Sequence, residues 1–303
     1  MSKLRILLLF GAGASAHCLG LNPAPPVGKD LFVKLTEYSE NWKKISGSLA
    51  NIFKINFEEG MEALCLNAQN GNEHNLAELL RDMAIYFSQF TIKDHNGNLY
   101  SRLFEKYKTP LFAGAIQIST LNYECLIEDA LLKMGMNLNC IYEILLKLHG
   151  SCNFIPDPAI LSASEEGLTI NMSCNTIIKV RIKRVLPSEI KQQLGSFPPA
   201  MSLFTREKPN IMAPPEIKTL QEKFQKWVKR ATAIICVGAR PYPVDIHIWD
   251  HIAKSNVPLY LVADREECLK WIKKYRPDKY YCIGEKFEDE FFPICKFMDK
   301  VFK

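Results

Sequence analysis

The run Leu4-Arg5-Ile6-Leu7-Leu8-Leu9-Phe10 ends on Gly11-Ala12-Gly13-Ala14-Ser15, and this junction constrains the chain more than any other feature. An apolar run without in/out alternation reads as a strand buried on both faces, as in a parallel sheet covered by helices. Glycines directly after it predict a tight turn into a helix. The same segment imitates a secretory leader, with Lys3 and Arg5 ahead of the apolar run and Ala14-Ser15-Ala16 behind it. A leader's apolar region spans about 7–15 residues, and Ile6–Phe10 is shorter than that, so the strand is the better reading.

Further apolar runs at Ala115–Ser119, Ile144–Leu148, Thr232–Val237, Pro258–Ala263 and Lys279–Ile283 continue the series. Stretches of helical period separate them. Leu76, Leu79, Leu80, Met83, Phe87 and Phe90 share one face, as do Ile217, Leu220, Phe224, Trp227 and Val228 after Pro214-Pro215. The alternation predicts an α/β, Rossmann-like fold: a mostly parallel sheet with helices on both faces and an inserted helical subdomain. We expect one domain over 1–303, with a helical insertion at 39–110. A small irregular subdomain is expected at 151–215, where Pro156, Pro158, Pro187, Pro198 and Pro199 interrupt any period.

Composition excludes several classes. Apolar residues at 48% and charged residues at 23% are the balance of a soluble globular protein. No run approaches the roughly 18 apolar residues that cross a bilayer. A net charge of +5 does not announce nucleic-acid binding, and Lys179-Val-Arg181-Ile-Lys183-Arg184 reads as a charged strand edge. The ten cysteines form no C-x-x-C pair, which argues against structural zinc and for reduced thiols in a cytoplasm.

Four polar segments sit where apolar runs end, the position at which open α/β sheets take ligands. In Gly11-Ala12-Gly13-Ala14-Ser15, glycines let a pyrophosphate approach the backbone, although the full G-x-G-x-x-G fingerprint is broken by Ala16. In Ser119-Thr120-Leu121-Asn122-Tyr123-Glu124, Thr120 and Asn122 are candidates for a site or for helix caps. In Lys147-Leu148-His149-Gly150, the imidazole suits general-base work near neutral pH or a structural hydrogen bond. In Val237-Gly238-Ala239-Arg240, the guanidinium suits a phosphate or a neighbouring carboxylate. His247 and His251, with Asp250, have the i, i+4 spacing of zinc ligands, but H-E-x-x-H is not met and no third ligand stands nearby in sequence. We therefore expect no metal site.

The order of these motifs resembles the sirtuin superfamily: GAGAS after the first strand, Thr-x-Asn-x-acid, Leu-His-Gly with its histidine 27 residues after that asparagine, then Val-Gly after a later strand. The match is nearest to the sirtuin-like domains of bacterial antiviral defence that cleave NAD+. The resemblance implies that Gly11, Ala12, Gly13 and Ser15 meet the pyrophosphate, and that Thr120 and Asn122 line the nicotinamide ribose. It implies His149 as the catalytic histidine, the loop of Gly238, Arg240 and Asp245 at the adenosine end, and Asp264 at the adenine ribose.

Departures from the deacylating branch point the same way. Leu121 and Glu124 stand where those sirtuins have glutamine and aspartate, Gly20-Leu-Asn-Pro-Ala-Pro-Pro replaces Gly-Ile-Pro-Asp-Phe-Arg, and the paired C-x-x-C zinc module is missing. The resemblance therefore implies an enzyme: an NAD+ nucleosidase with NAD+ as substrate and no zinc, Asn122 and His149 being catalytic. It would act as an NAD-depleting effector of antiphage defence, by abortive infection. By the same analogy we expect a homo-oligomer or a partner ATPase or nucleic-acid-guided sensor, with no membrane and no direct nucleic-acid contact. The alternatives are a catalytically silent NAD+ or ADP-ribose sensor, and a protein deacylase or ADP-ribosyltransferase.

Overall fold

The computed structural model describes residues 5–69, 75–157, 177–203, 205, 211–242 and 245–303. Its strands are β1 (Ile6–Phe10), β2 (Ile116–Thr120), β3 (Leu145–Lys147), β4 (Phe154–Pro156), β5 (Ile182–Arg184), β6 (Ala233–Val237), β7 (Leu259–Val262) and β8 (Tyr281–Gly284). Six of them form one sheet in the order β3-β2-β1-β6-β7-β8, with every neighbouring pair parallel. The chain builds outward from β1 to β3, returns to the other side of β1, and builds outward again. That is the doubly wound Rossmann-like order, and its switch point lies between β1 and β6.

Each expected strand falls within two residues of its apolar run at both ends, except that Leu4 lies outside the described residues. Burial on both faces explains the missing alternation. Ile6, Leu8 and Phe10 of β1 pack on one side with the helices Leu76–Ser88, Leu99–Lys106 and Phe287–Phe302. Leu7 and Leu9 pack on the other with Trp227, Trp249 and Trp271, from the helices Pro214–Arg230, Ile246–Lys254 and Arg265–Tyr275. Each such leucine contributes about 1.5–3 kcal/mol relative to exposure.

Between β1 and β2 the described chain is mostly helical, including Gly28–Tyr38, Gly47–Ile55 and Phe57–Gln69. Of the expected irregular segment, 158–176, Phe204 and 206–210 lie outside the described residues, Pro158 among them. The described part holds β4 and β5 as a two-stranded antiparallel pair. The basic stretch is an edge strand as expected, and Arg184 lies over the Tyr142 and Phe154 rings, at 5.0 Å and 5.2 Å from their centroids.

Cys18, Cys125, Cys140, Cys152, Cys236, Cys268, Cys282 and Cys295 are free thiols. Cys65 is disulfide-bonded, a correction to the expectation of reduced cysteines throughout. Pairing depends on which Cα atoms the fold brings within about 7 Å, which spacing along the chain does not disclose. Among the described residues no helix is long and apolar enough to cross a membrane.

Candidate functional site

The glycines at the ends of β1 and β6 interlock. Gly11 N donates to Val237 O at 2.9 Å, and Gly13 N donates to Gly238 O at 3.0 Å. Gly238 has φ +65°, and a Cβ there would stand 1.9 Å from Ala14 N. The helix that follows β1 is only Ala12–Ala16, a little over one turn. Its macrodipole is correspondingly short. Two N–H groups of the expected pyrophosphate cradle, those of Gly11 and Gly13, are spent on Val237 and Gly238.

The loop after β2 forms the inner wall. Thr120 Oγ1 donates to Phe10 O at 3.1 Å and accepts from Asn122 N at 3.1 Å, so Thr120 ties β2 to β1 and does not line the cavity. Asn122 Nδ2 donates to Glu124 Oε1 at 2.9 Å, to Ser15 Oγ at 3.0 Å and to Gly11 O at 3.2 Å. Its nitrogen is thus held inward, leaving Oδ1 as the side-chain atom available to the cavity that Asn122 lines. Ser15 is buried and donates to Glu124 Oε1 at 2.5 Å, so the Tyr100 hydroxyl, 2.8 Å away, donates to Ser15. Ser15 therefore positions Asn122 from behind and stays off the main cavity wall. Burial raises the Glu124 carboxyl above its ordinary value despite the opposing pull of Lys147.

Beneath this wall lies a fully buried ion pair. Lys147 Nζ donates to Glu128 Oε1 at 2.9 Å and to Glu124 O at 2.5 Å, and Tyr142 also donates to Glu128 Oε1, at 2.9 Å. Burial works against the Lys147 charge, but Glu128 overrides it and holds the ammonium above the ordinary lysine value. Two residues on, His149 stands on the cavity wall. Gly150 turns the chain at φ +78°, where a Cβ would lie 2.0 Å from Ala200 O.

The loop after β6 forms the outer wall. Arg240 is exposed and pairs with Glu267 at 3.3 Å, so the carboxylate alternative is the one realised. Asp264 caps the helix Arg265–Tyr275 by accepting from Glu267 N at 2.9 Å. Tyr242 donates to Glu58 Oε2 at 3.1 Å, joining this loop to the helical region. Asp245 is buried against His149, with Oδ1 3.4 Å from Nε2.

These walls enclose a cavity of about 630 Å³ at the carboxyl ends of the strands, within the usual range for ligand sites. Gly11, Ala12, Gly13, Asn122, His149, Gly238, Arg240, Asp245 and Asp264 all line it. A smaller chamber of about 90 Å³ adjoins, lined by Ser15, Leu31, Phe87, Asn122 and Glu124 among others. Sequence reasoning missed Glu58, Tyr242 and Lys147, and noted Glu124 only as a departure from a motif. Lys147 alone carried a signal, a lysine inside an otherwise apolar strand. One ligand atom each from His149, Asp245 and His247 lies within 4.8 Å of the others. His251 and Asp250 are not in that group, and Asp250 instead pairs with Lys254 at 2.6 Å.

Sheet order and crevice together define an open, doubly wound α/β protein with a ligand-sized cavity at its switch point. No family model matches the chain, and no curated protein matches it. Among solved structures, the chain is similar to one described as a Sir2 homologue in complex with NAD. The identity is 16%, the TM-score is 0.47, and the match covers 100% of this chain and 92% of that one. It is also similar to a structure described as the structural basis of sirtuin substrate affinity, at 15% identity and a TM-score of 0.35, covering 99% and 93%.

Proposed function

We propose that the chain is an NAD+ glycohydrolase that breaks the nicotinamide–ribose bond, acting as an NAD-depleting effector in antiphage defence. The observation that carries this reading is that Asn122 and His149, from separate loops, line one cavity with the Gly11–Gly13 and Gly238 turns. In this reading the turns receive the pyrophosphate, and the adenosine end extends past Gly238 towards Asp264. Asn122 Oδ1 orients a ribose hydroxyl or the attacking water, and the adjoining chamber receives the nicotinamide ring.

As the C1′–N bond breaks, water adds its oxygen to C1′, the bonding pair leaves with neutral nicotinamide, and His149 takes the water's proton. The products are nicotinamide and ADP-ribose. Binding energy from the remote pyrophosphate and adenosine holds C1′ in place for that attack. Control of so destructive an activity would come from self-assembly or from a partner ATPase or nucleic-acid-guided sensor in the cytoplasm.

The test is nicotinamide release from NAD+ by the full chain over a wide protein concentration range, beside Asn122→Ala and His149→Ala. Release abolished in both variants, with the fold intact by circular dichroism, is the expected result. Release that requires an acyl-lysine or an acceptor protein would replace hydrolysis by group transfer. NAD+ binding without release at any concentration would leave a silent sensor.

A further inference from the structure

We propose that His149, Asp245 and His247 form a binding site for a divalent first-row metal ion on the cavity wall. Three observations converge on it. The ligand atoms of the three side chains lie within 4.8 Å of one another. His149 is 4% exposed, and its Nε2 is buried without a hydrogen-bond partner. Asp245 is itself buried and turns Oδ1 towards His149 Nε2.

The 3.4 Å between His149 Nε2 and Asp245 Oδ1 separates two explanations. A hydrogen-bonded pair would bring oxygen onto the N–H axis within about 3.2 Å, and no such bond forms here. Donors sharing one ion are arranged around a common point instead. Zinc bonds of about 2.0–2.2 Å put neighbouring donors of a tetrahedral site about 3.3 Å apart, close to the observed edge. His247 is only half-buried, in the first turn of its helix, and its ring centroid is 5.4 Å from that of His149. A rotamer adjustment of this ring closes the wider edge.

Two imidazoles and one carboxylate suit zinc and its first-row neighbours over magnesium or calcium. Three protein ligands leave a position for water, and His149 and Asp245 line the cavity, so that position faces it. The ion site does not depend on the NAD+ reading. If both hold, His149 would serve as a ligand of the ion in place of taking the proton, and the ion would acidify the attacking water, whose proton would leave to solvent. The third ligand that sequence spacing lacked comes from the loop after β3, so the expectation of no metal site gives way to this proposal.

The chelator-treated full chain is titrated with Zn2+ by calorimetry and with Co2+ by visible absorption. One equivalent is expected, with the ligand-field bands of tetrahedral or five-coordinate cobalt. Asp245→Asn and His247→Ala should each weaken binding at least about tenfold, while His251→Ala leaves it unchanged. Thermal melts confirm the fold of each variant, and His247→Gln replaces any that fails. Absence of stoichiometric binding, or equal affinity in wild type, Asp245→Asn and His247→Ala, overturns the site. Nicotinamide release is scored separately, so a chain that binds the ion but leaves NAD+ intact loses the glycohydrolase reading alone.

Discussion

The two walls of the cavity are built on different principles. On the inner wall, Asn122, Ser15, Glu124 and Tyr100 consume one another's hydrogen-bonding groups, and the Lys147–Glu128 pair locks them from below. On the outer wall, Arg240 and Glu267 pair in the open, and Asp245 faces His149 at 3.4 Å. The inner wall is finished before any ligand arrives, which suits a group that must hold one orientation. The outer wall is held by an exposed pair and a longer contact, which suits contact with something that comes and goes.

Breaking the inner wall should have the largest effect. Lys147→Met leaves Glu128 buried without its cation and should cost about 3–5 kcal/mol in urea unfolding. Adding Glu128→Leu should restore most of that loss. A single variant as stable as wild type would mean that the pair does not pin the wall.

Glu124→Ala removes the carboxylate that holds Asn122, and misplacement of about 1 Å lowers turnover about 100-fold. Steady-state nicotinamide release should show that loss in kcat with little change in KM. Gly238→Ala forces a side chain into left-handed backbone against Ala14 and should lower stability by about 1–3 kcal/mol, read from thermal melts.

Glu124→Gln sharpens the contrast through pH. The folded-state pKa of Glu124 is raised above its ordinary 4.5, so the folded chain holds that proton more tightly than the unfolded chain. Its contribution to stability therefore falls as pH rises from 4.5 through the folded value. Unfolding free energies across that range should shift progressively in favour of Glu124→Gln, and a pH-independent difference would remove burial as the cause. On the outer wall, Arg240→Ala should change stability by no more than about 0.5 kcal/mol, because the pair is exposed.

This contrast also explains what could be read from sequence. Strands buried on both faces are written as apolar runs, and the turns that must interlock are written as glycines, so β1, β6, Gly11 and Gly238 were legible. Asn122 and His149 were legible because polar residues directly after such runs land at the carboxyl edge of the sheet. The inward roles of Thr120 and Ser15 were not, since a hydroxyl suits a ligand and a neighbouring carbonyl equally well. Nor was the meeting of His149 with Asp245 and His247, because it depends on the path of two loops from separate strands. Glu124 looked like a departure from a motif, and its work became visible only with Ser15 and Tyr100 around it.

The interlocked glycine turns carry a consequence for how the molecule comes into being. β1 is synthesised well before Gly238, which completes its turn. Until that late segment pairs with β1, the crevice has one lip and no shape. The fold itself thus keeps a half-made chain on the ribosome from having a formed cavity.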